Sequence, residues 1–310
     1  SRSIRPNWAM SDSIPSVLCV GEILWDFLPR GAFPGGAPFN VAYHLHRLGL
    51  KTHLVSAVGR DLLGDELLSR LRQWGLSTEG VGRHTGLPTG YVRASIGPTG
   101  DATYEIATQV AWDQIILGED TIRAAFGASA LVFGSLAMRS RSNRTALDRL
   151  LAVLPATALR VFDVNLRPPY DDLPLVRELA RKATLLKLNA GEAARLTNEP
   201  PEPGREEAHA HALVGQTGCT TVCISSGERG AGLLVDGKWT WTDSRPVVVR
   251  DTVGAGDAFM AGLLSGLILH REKPAVALDR ACRMGEYVAA RDGATPPYEC
   301  DPLGQPTDRK

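Results

Sequence analysis

The chain lacks an excess of charge of either sign: Lys plus Arg equals Asp plus Glu at 34 each over 310 residues. That balance leaves no basic field for a nucleic-acid backbone or an anionic membrane surface. No apolar run approaches the roughly 20 residues that a membrane-crossing helix needs, so a soluble protein is expected. Cysteine is scarce, five in all. An odd count without a C-x-x-C pair argues for reduced thiols in a cytoplasm rather than a disulfide frame. Cys219 and Cys223 stand four apart with no histidine cluster near them, which favours buried strand cysteines over a metal site. The histidines are scattered and give neither a zinc set nor a serine–histidine relay. No internal repeat is visible. Residues 1–16 are polar, carry Pro6 and Pro15 and lack the apolar core of a signal peptide, so they read as a flexible tail. Residues 301–310 read as a second tail.

What is present is an alternation of short apolar runs and amphipathic stretches. Val17 to Val20, closed by Gly21-Glu22, suits a buried first strand; Val41 to Leu48 has helical spacing and Thr52 to Val58 reads as the next strand. Leu62 to Trp74 reads as a helix closed by Gly75. Strand and helix then alternate through Ala130–Gly134, Arg144–Leu154, Arg160–Val164, Leu173–Ala183, Leu185–Leu188 and Thr221–Ile224. Such traffic predicts an α/β fold with a mostly parallel sheet, helices on both faces and a site at the strands' carboxyl ends. One segment breaks the pattern. Thr89–Ile96 and Ala102–Ala107, separated by Gly97-Pro98-Thr99-Gly100, alternate like a hairpin with one polar face and fit a lid.

The stretch from Asp251 to Asp257, D-T-V-G-A-G-D, runs straight into an apolar helix. Small residues Gly254, Ala255 and Gly256 let the backbone approach a ligand, and the helix they open offers unpaired N–H groups to an anion such as phosphate. An acid inside such a positive site is poorly explained by phosphate affinity. Asp257 therefore reads as a base that takes a proton from an attacking hydroxyl. A lone G-x-G-D would more often be a turn with an ordinary first-turn acid. Two other phosphate motifs fail. Gly232 to Lys238 fits G-x-x-x-x-G-K, but Trp239 stands where Ser or Thr is required and Leu233-Leu234-Val235 reads as a strand. Gly21-Glu22-Ile23 does not supply the G-x-G-x-x-G of a dinucleotide fold.

The D-T-x-G-A-G-D run, together with Gly35-Gly36-Ala37-Pro38-Phe39-Asn40-Val41-Ala42, Gly49 and Gly59 near the other end of the chain, resembles the two signatures of the PfkB (ribokinase-like) carbohydrate kinases. The resemblance runs from about Val17 to about Pro297. It implies a three-layer α/β sandwich with a small β lid from about 23–37 and 88–109, within a kinase domain of residues 17–300. It implies ATP and Mg2+ as cofactors, with a homodimer through the lid as a possible assembly. On the sugar side it gives Asp26 two hydroxyls to bind, with Gly35, Gly36 and Asn40 completing the pocket floor. Arg167 would meet phosphate or a substrate carboxylate, or else pair with Asp171 or Asp172. Tyr91 and Tyr104 would touch the sugar from the lid or simply pack in it. On the nucleotide side Asn189-Ala190-Gly191-Glu192 resembles the family's N-x-x-E, placing Mg2+ through its waters; alone, Glu192 would be a helix-start acid. Lys187 has a phosphate role or is a snorkelling strand-end lysine. Ser225, Gly227 and Gly230 match the nucleotide loop T-x-G-x-x-G, with serine for threonine. Asp251, Val253 and Gly293 match the place where many members hold a monovalent cation such as K+, or else Asp251 caps the turn. The forms G-G-A-P-F-N and G-E-x-x-x-D-F-x-P look most like fructokinases, with 2-keto-3-deoxygluconate, ribose or a nucleoside as alternative substrates. A sensor without catalysis is the alternative of a different class.

Overall fold

A computed structural model of the chain describes residues 14–96, 102–301 and 304–308. Residues 1–13 of the expected tail and the turn at 97–100 lie outside the described residues.

The apolar runs become strands because both of their faces find cover. In β1 (Ser16–Val20), Val17 and Cys19 belong to one apolar cluster, and Leu18 and Val20 to a second one on the opposite face. A strand buried on both faces is the mark of a sheet with helices above and below it. After β1 the chain makes β2 (Leu24–Leu28) and β3 (Gly31–Gly35), then α1 (Ala37–Arg47), β4 (Lys51–Gly59), α2 (Leu62–Gln73) and β5 (Val81–His84). A second excursion makes β6 (Gly90–Ile96) and β7 (Ala102–Ile106). Alternation follows through α3 (Glu119–Phe126), β8 (Ala130–Gly134), α4 (Arg141–Val153), β9 (Leu159–Asp163), α5 (Leu173–Ala180) and β10 (Leu185–Asn189). The chain continues with α6 (Ala190–Thr197), α7 (Glu206–Thr217), β11 (Thr221–Ser225) and the hairpin β12 (Ala231–Val235) and β13 (Lys238–Thr242). It closes the body with α8 (Ala255–Leu264) and α9 (Pro274–Ala289).

The large sheet has nine strands in the order β13-β12-β11-β10-β9-β8-β1-β4-β5, parallel except for the β12–β13 hairpin at one edge. Strand order reverses between β1 and β8, and a crevice at the carboxyl ends of such a pair is where ligands of open α/β sheets bind. The two excursions combine into a separate four-stranded sheet, β3-β2-β6-β7, in which β2 pairs in parallel with β6. It is anchored on α2: Trp25 Nε1 donates to Leu63 O at 3.0 Å, and the Arg70 guanidinium lies 5.2 Å from the Trp25 ring.

Four parts of the chain differ from expectation. Helix α1 begins at Ala37, four residues before Val41, because Pro38 sits in the first turn, where a missing N–H costs nothing. Asn40 is thereby placed in that first turn. Helices α3 and α7 escape the periodicity reading; in α7 the run Glu206-Glu207-Ala208-His209-Ala210-His211 carries no clean apolar stripe. The final stretch read as a tail is tied down: Pro306–Thr307 pair with Glu299–Cys300, and Asp308 accepts from Tyr287 and Arg291. All five cysteines are free thiols, and Cys219 and Cys223 are buried as expected. Among the described residues no helix is long and apolar enough to cross a membrane.

Candidate active site

The amino end of α8 faces the crevice. Gly254, its N-cap, has φ +77°, and a Cβ added there would stand 2.5 Å from the Cα and Cβ of Ala294, so neither backbone nor space admits a side chain. Ala255 N–H is spent on the carbonyl of Thr252 at 3.2 Å. The N–H groups of Gly254, Gly256 and Asp257 find no acceptor among the described residues. Unclaimed donors at a helix start form a concave seat for an anion. Of the three small residues, Ala255 thus shapes the seat more than it donates to it.

Asp257 closes the seat. It is 8% exposed, and its Oδ2 accepts from Asn40 Nδ2 at 2.8 Å across 217 residues of chain. Burial, and after it the charge of Asp163, push its carboxyl up to about 6, against the pull of Asn40, Lys187 and Arg167. Such a group is ionised at neutral pH and still basic enough to receive a proton.

Sugar-side candidates gather beneath the small sheet. Asp26 lies in β2, its carboxyl pushed up to about 6 by burial, with Arg167 opposing and Asp257 adding to the rise. Gly35 on the neighbouring β3, paired with Leu24, is obligatory for volume, since a Cβ there would fall 2.0 Å from Asp26 Oδ2. Gly36 holds φ +108° over the Glu22 carbonyl. Asn40 Oδ1 is buried and has no hydrogen-bond partner, and Glu22 Oε2 is in the same condition. Glu22, which the motif reading passed over, is 3% exposed and pushed up to about 7, chiefly by burial, with backbone N–H groups and Arg167 opposing. Arg167 is exposed and makes no ion pair among the described residues; Asp171 takes Arg195 at 2.7 Å and Asp172 caps α5. Its charge is therefore left for Glu22, Asp26 and Asp257, each of which feels it. The tyrosines diverge. Tyr91 packs against Phe27 at 5.8 Å and carries Arg93 over its ring, whereas Tyr104 on β7 is 63% exposed.

Nucleotide-side candidates are more fully engaged. Lys187 does not snorkel: it is 6% exposed, with Nζ 3.1 Å from Asp163 Oδ1. Burial alone would lower the ammonium, but Asp163, Glu192 and Asp257 outweigh it and hold it above the usual lysine value. A Cβ at Gly256 would stand 3.2 Å from that ammonium, which therefore lies directly behind the anion seat. Register explains the pair, since β9 and β10 set Asp163 opposite Lys187. Asn189 and Glu192 form a reciprocal capping box at the start of α6: Glu192 N–H donates to Asn189 Oδ1 at 2.9 Å and Asn189 N–H donates to Glu192 Oε2 at 2.8 Å. Glu192 Oε1 takes Leu166 N–H at 2.8 Å, so each carboxylate oxygen keeps one free lone pair. Ser225 donates to Leu188 O at 3.3 Å, and Gly227 and Gly230 bracket a tight turn in positive φ. A groove of about 630 Å3 along α6 meets this cluster at Asn189 and Glu192 but omits Asp26, Asn40 and Asp257.

The expected cation position is differently furnished. Asp251 Oδ1 accepts from Val253 N–H at 3.0 Å and Oδ2 from Gly293 N–H at 3.1 Å, and Oδ2 also receives the guanidinium of Arg30. Burial favours its protonated form, but Arg30 and the two N–H groups hold the carboxyl below its ordinary range. Among the described residues no cluster of three or more His, Cys, Asp or Glu side chains suits a metal ion. Arg30, Asp163 and Glu22 are the residues the motif reading missed. Asp163 carried a sequence signal, an acid at the end of one apolar strand with a lysine inside the next, and Glu22 stood in the G-E-x-x-x-D-F-x-P form without being given a role.

Free N–H groups at a helix start, a buried carboxylate beside them and buried acceptors without partners are an arrangement suited to phosphoryl transfer onto a hydroxyl. A model of the pfkB family of carbohydrate kinases matches residues 31–299, and the chain belongs to that family. A fructokinase from Klebsiella pneumoniae is 28% identical over 262 residues, covering 81% of this chain and 84% of its own. Among solved structures, the fructokinase of Xylella fastidiosa with bound ATP covers 90% of this chain and 94% of its own, with a TM-score of 0.78 at 21% identity. A double mutant of fructokinase from Vibrio cholerae O395 in a fructose-, ADP- and potassium-bound form covers 92% and 96%, with a TM-score of 0.79 at 21% identity. At such identity the solved structures speak for the fold.

Proposed function

We propose that this ATP-dependent sugar kinase transfers the γ-phosphate of ATP to a primary hydroxyl of fructose, with Asp257 as the base. The observation that carries the reading is Asp257 itself, buried, held by Asn40 and flanked by the free N–H groups of Gly254 and Gly256. The hydroxyl oxygen attacks the γ-phosphorus in line, Asp257 takes the hydroxyl proton, and ADP leaves. Charge on the transferring group is met by the N–H groups of the seat, with the Lys187 ammonium behind Gly256. Asn189 and Glu192, hard oxygen donors with lone pairs to spare, would hold Mg2+ through its waters, and the ion would offset charge on the nucleotide phosphates.

Fructose is favoured by an acceptor-rich floor. Asp26, Asn40 Oδ1 and Glu22 Oε2 all seek donors, as a polyhydroxy sugar supplies. The relatives named fructokinase support the same substrate. Arg167 supports a second reading, because an unpaired guanidinium facing the pocket also suits the carboxylate of 2-keto-3-deoxygluconate. Turnover of fructose, ribose, 2-keto-3-deoxygluconate and adenosine decides between them. Fructose is expected to give the highest kcat/KM, and Asn40→Ala to lose most of it. A tenfold advantage for the keto-acid, about 1.4 kcal/mol in transition-state binding, would overturn fructose and leave the phosphoryl chemistry standing.

A further inference from the structure

Arg30 lies in the turn between β2 and β3, at the rim of the small sheet, and Asp251 lies 221 residues later in the loop that leads into the anion seat. The two form an ion pair, and the Arg30 guanidinium also lies 5.2 Å from the Phe33 ring, which fixes its approach. Asp251 is the hub of that loop. Its two oxygens hold the N–H groups of Val253 and Gly293, one from the strand of chain before α8 and the other beside Ala294, which walls off Gly254.

A bound K+ fits this arrangement poorly. The cation needs several oxygen donors converging on one point. Here both oxygens of Asp251 already accept N–H groups, from Val253 and from Gly293, and the carboxylate charge is already matched by a guanidinium. A second cation would face Arg30 at close range, and like charges repel.

We propose that Arg30 supplies, from within the small sheet, the positive charge that a monovalent cation would supply at Asp251, so that seating the sheet over the sugar also sets the loop of the anion seat. The inference rests on the proposed reading of residues 254–256 as that seat. Two consequences follow for this chain. Its turnover does not depend on which monovalent salt is present, and the small sheet reports its position to the phosphate site through one side chain.

The test compares wild type and Arg30→Ala in KCl, NaCl and choline chloride at equal ionic strength, measuring turnover and melting temperature. Wild-type rates are expected to agree across the three salts. Arg30→Ala is expected to turn over more slowly in choline by roughly fivefold, the upper range for a partly exposed ion pair. It is also expected to regain rate in KCl and to melt higher in KCl than in choline, because an ion that binds only the folded state stabilises it. The wild type shows no such melting shift. Wild-type turnover that rises severalfold with KCl overturns the proposal, and so does an Arg30→Ala enzyme that behaves as wild type in every salt. The melting arm needs no substrate, so it stands even where every sugar fails and the kinase site itself has been misread. Should Arg30→Ala not fold, the wild-type salt series decides alone.

Discussion

The two sides of the crevice are built on opposite principles. Facing the small sheet, polar atoms are left wanting: Glu22 Oε2 and Asn40 Oδ1 are buried without partners, and Glu22, Asp26 and Asp257 are all pushed up in pKa, chiefly by burial. Across the site, Glu192 is raised by burial too, yet both its oxygens accept backbone N–H groups, Lys187 is locked to Asp163, and Glu206 is held by Ser226 and Arg229. A buried polar group without a partner costs about 1–3 kcal/mol, a cost that a ligand can relieve. On the proposed reading, the first side would therefore read its ligand by direct hydrogen bonds. The second spends its side chains on shaping loops and offers the ligand mainly backbone. Specificity is concentrated where the protein alone is least satisfied.

That contrast can be broken most sharply at Asp257. Asp257→Asn is expected to leave sugar binding within a few fold and to cut kcat by roughly 100-fold or more, the scale of losing a general base. The same substitution should stabilise the unliganded protein. The folded state holds this carboxyl at about 6, above the unfolded value near 4, so ionising it costs folding stability that builds as pH rises between those values. The gain should be on the order of 1–3 kcal/mol at pH 8 and nearly absent at pH 4. Equal stability of both forms at pH 8 would mean that Asp257 belongs to the satisfied side.

A smaller effect lies in the pH profile. The rate should fall with an acid limb near 6, about tenfold per pH unit below it, because the base must be ionised to work. A limb near 4 would place Asp257 in an ordinary solvated setting and remove the basis for its role.

The smallest effect tests the opposite side. Glu192→Gln puts an amide donor against one of two backbone N–H groups, so a loss of about 1–3 kcal/mol in stability is expected, with a few-fold rise in the Mg2+ needed for half-maximal rate. Lost stability with an unchanged Mg2+ titration would leave Glu192 a helix brace only.

Most of the strands were legible in the sequence because a buried parallel strand is a short apolar run and needs nothing else to be seen. Leu185–Leu188 and Ala130–Gly134 fall within a residue of β10 and β8. Asp257 and the glycines before it were legible because helix starts are local. What escaped depends on long-range pairing. Lys187 was read as a surface or phosphate lysine because Asp163 stands 24 residues away, and only strand register joins them. Arg30 gave no sign at all, being one exposed arginine in a turn until a distant loop was brought beside it. The burial of Glu22 escaped for a related reason: Gly36, at the start of α1, packs against it, and no local pattern announces that contact.

The small sheet has a history as well as a position. Its central pair sets Leu24 against Gly90, and everything between them except β3 belongs to the body of the protein. Closing a loop of that length before its contacts can repay the entropy is unfavourable unless the intervening chain is already compact. A nascent chain would thus complete β1, α1, β4, α2 and β5 before β2 can find β6. The small sheet is then among the last elements to assemble and, by the same token, among the first that can come loose while the nine-stranded sheet stays whole.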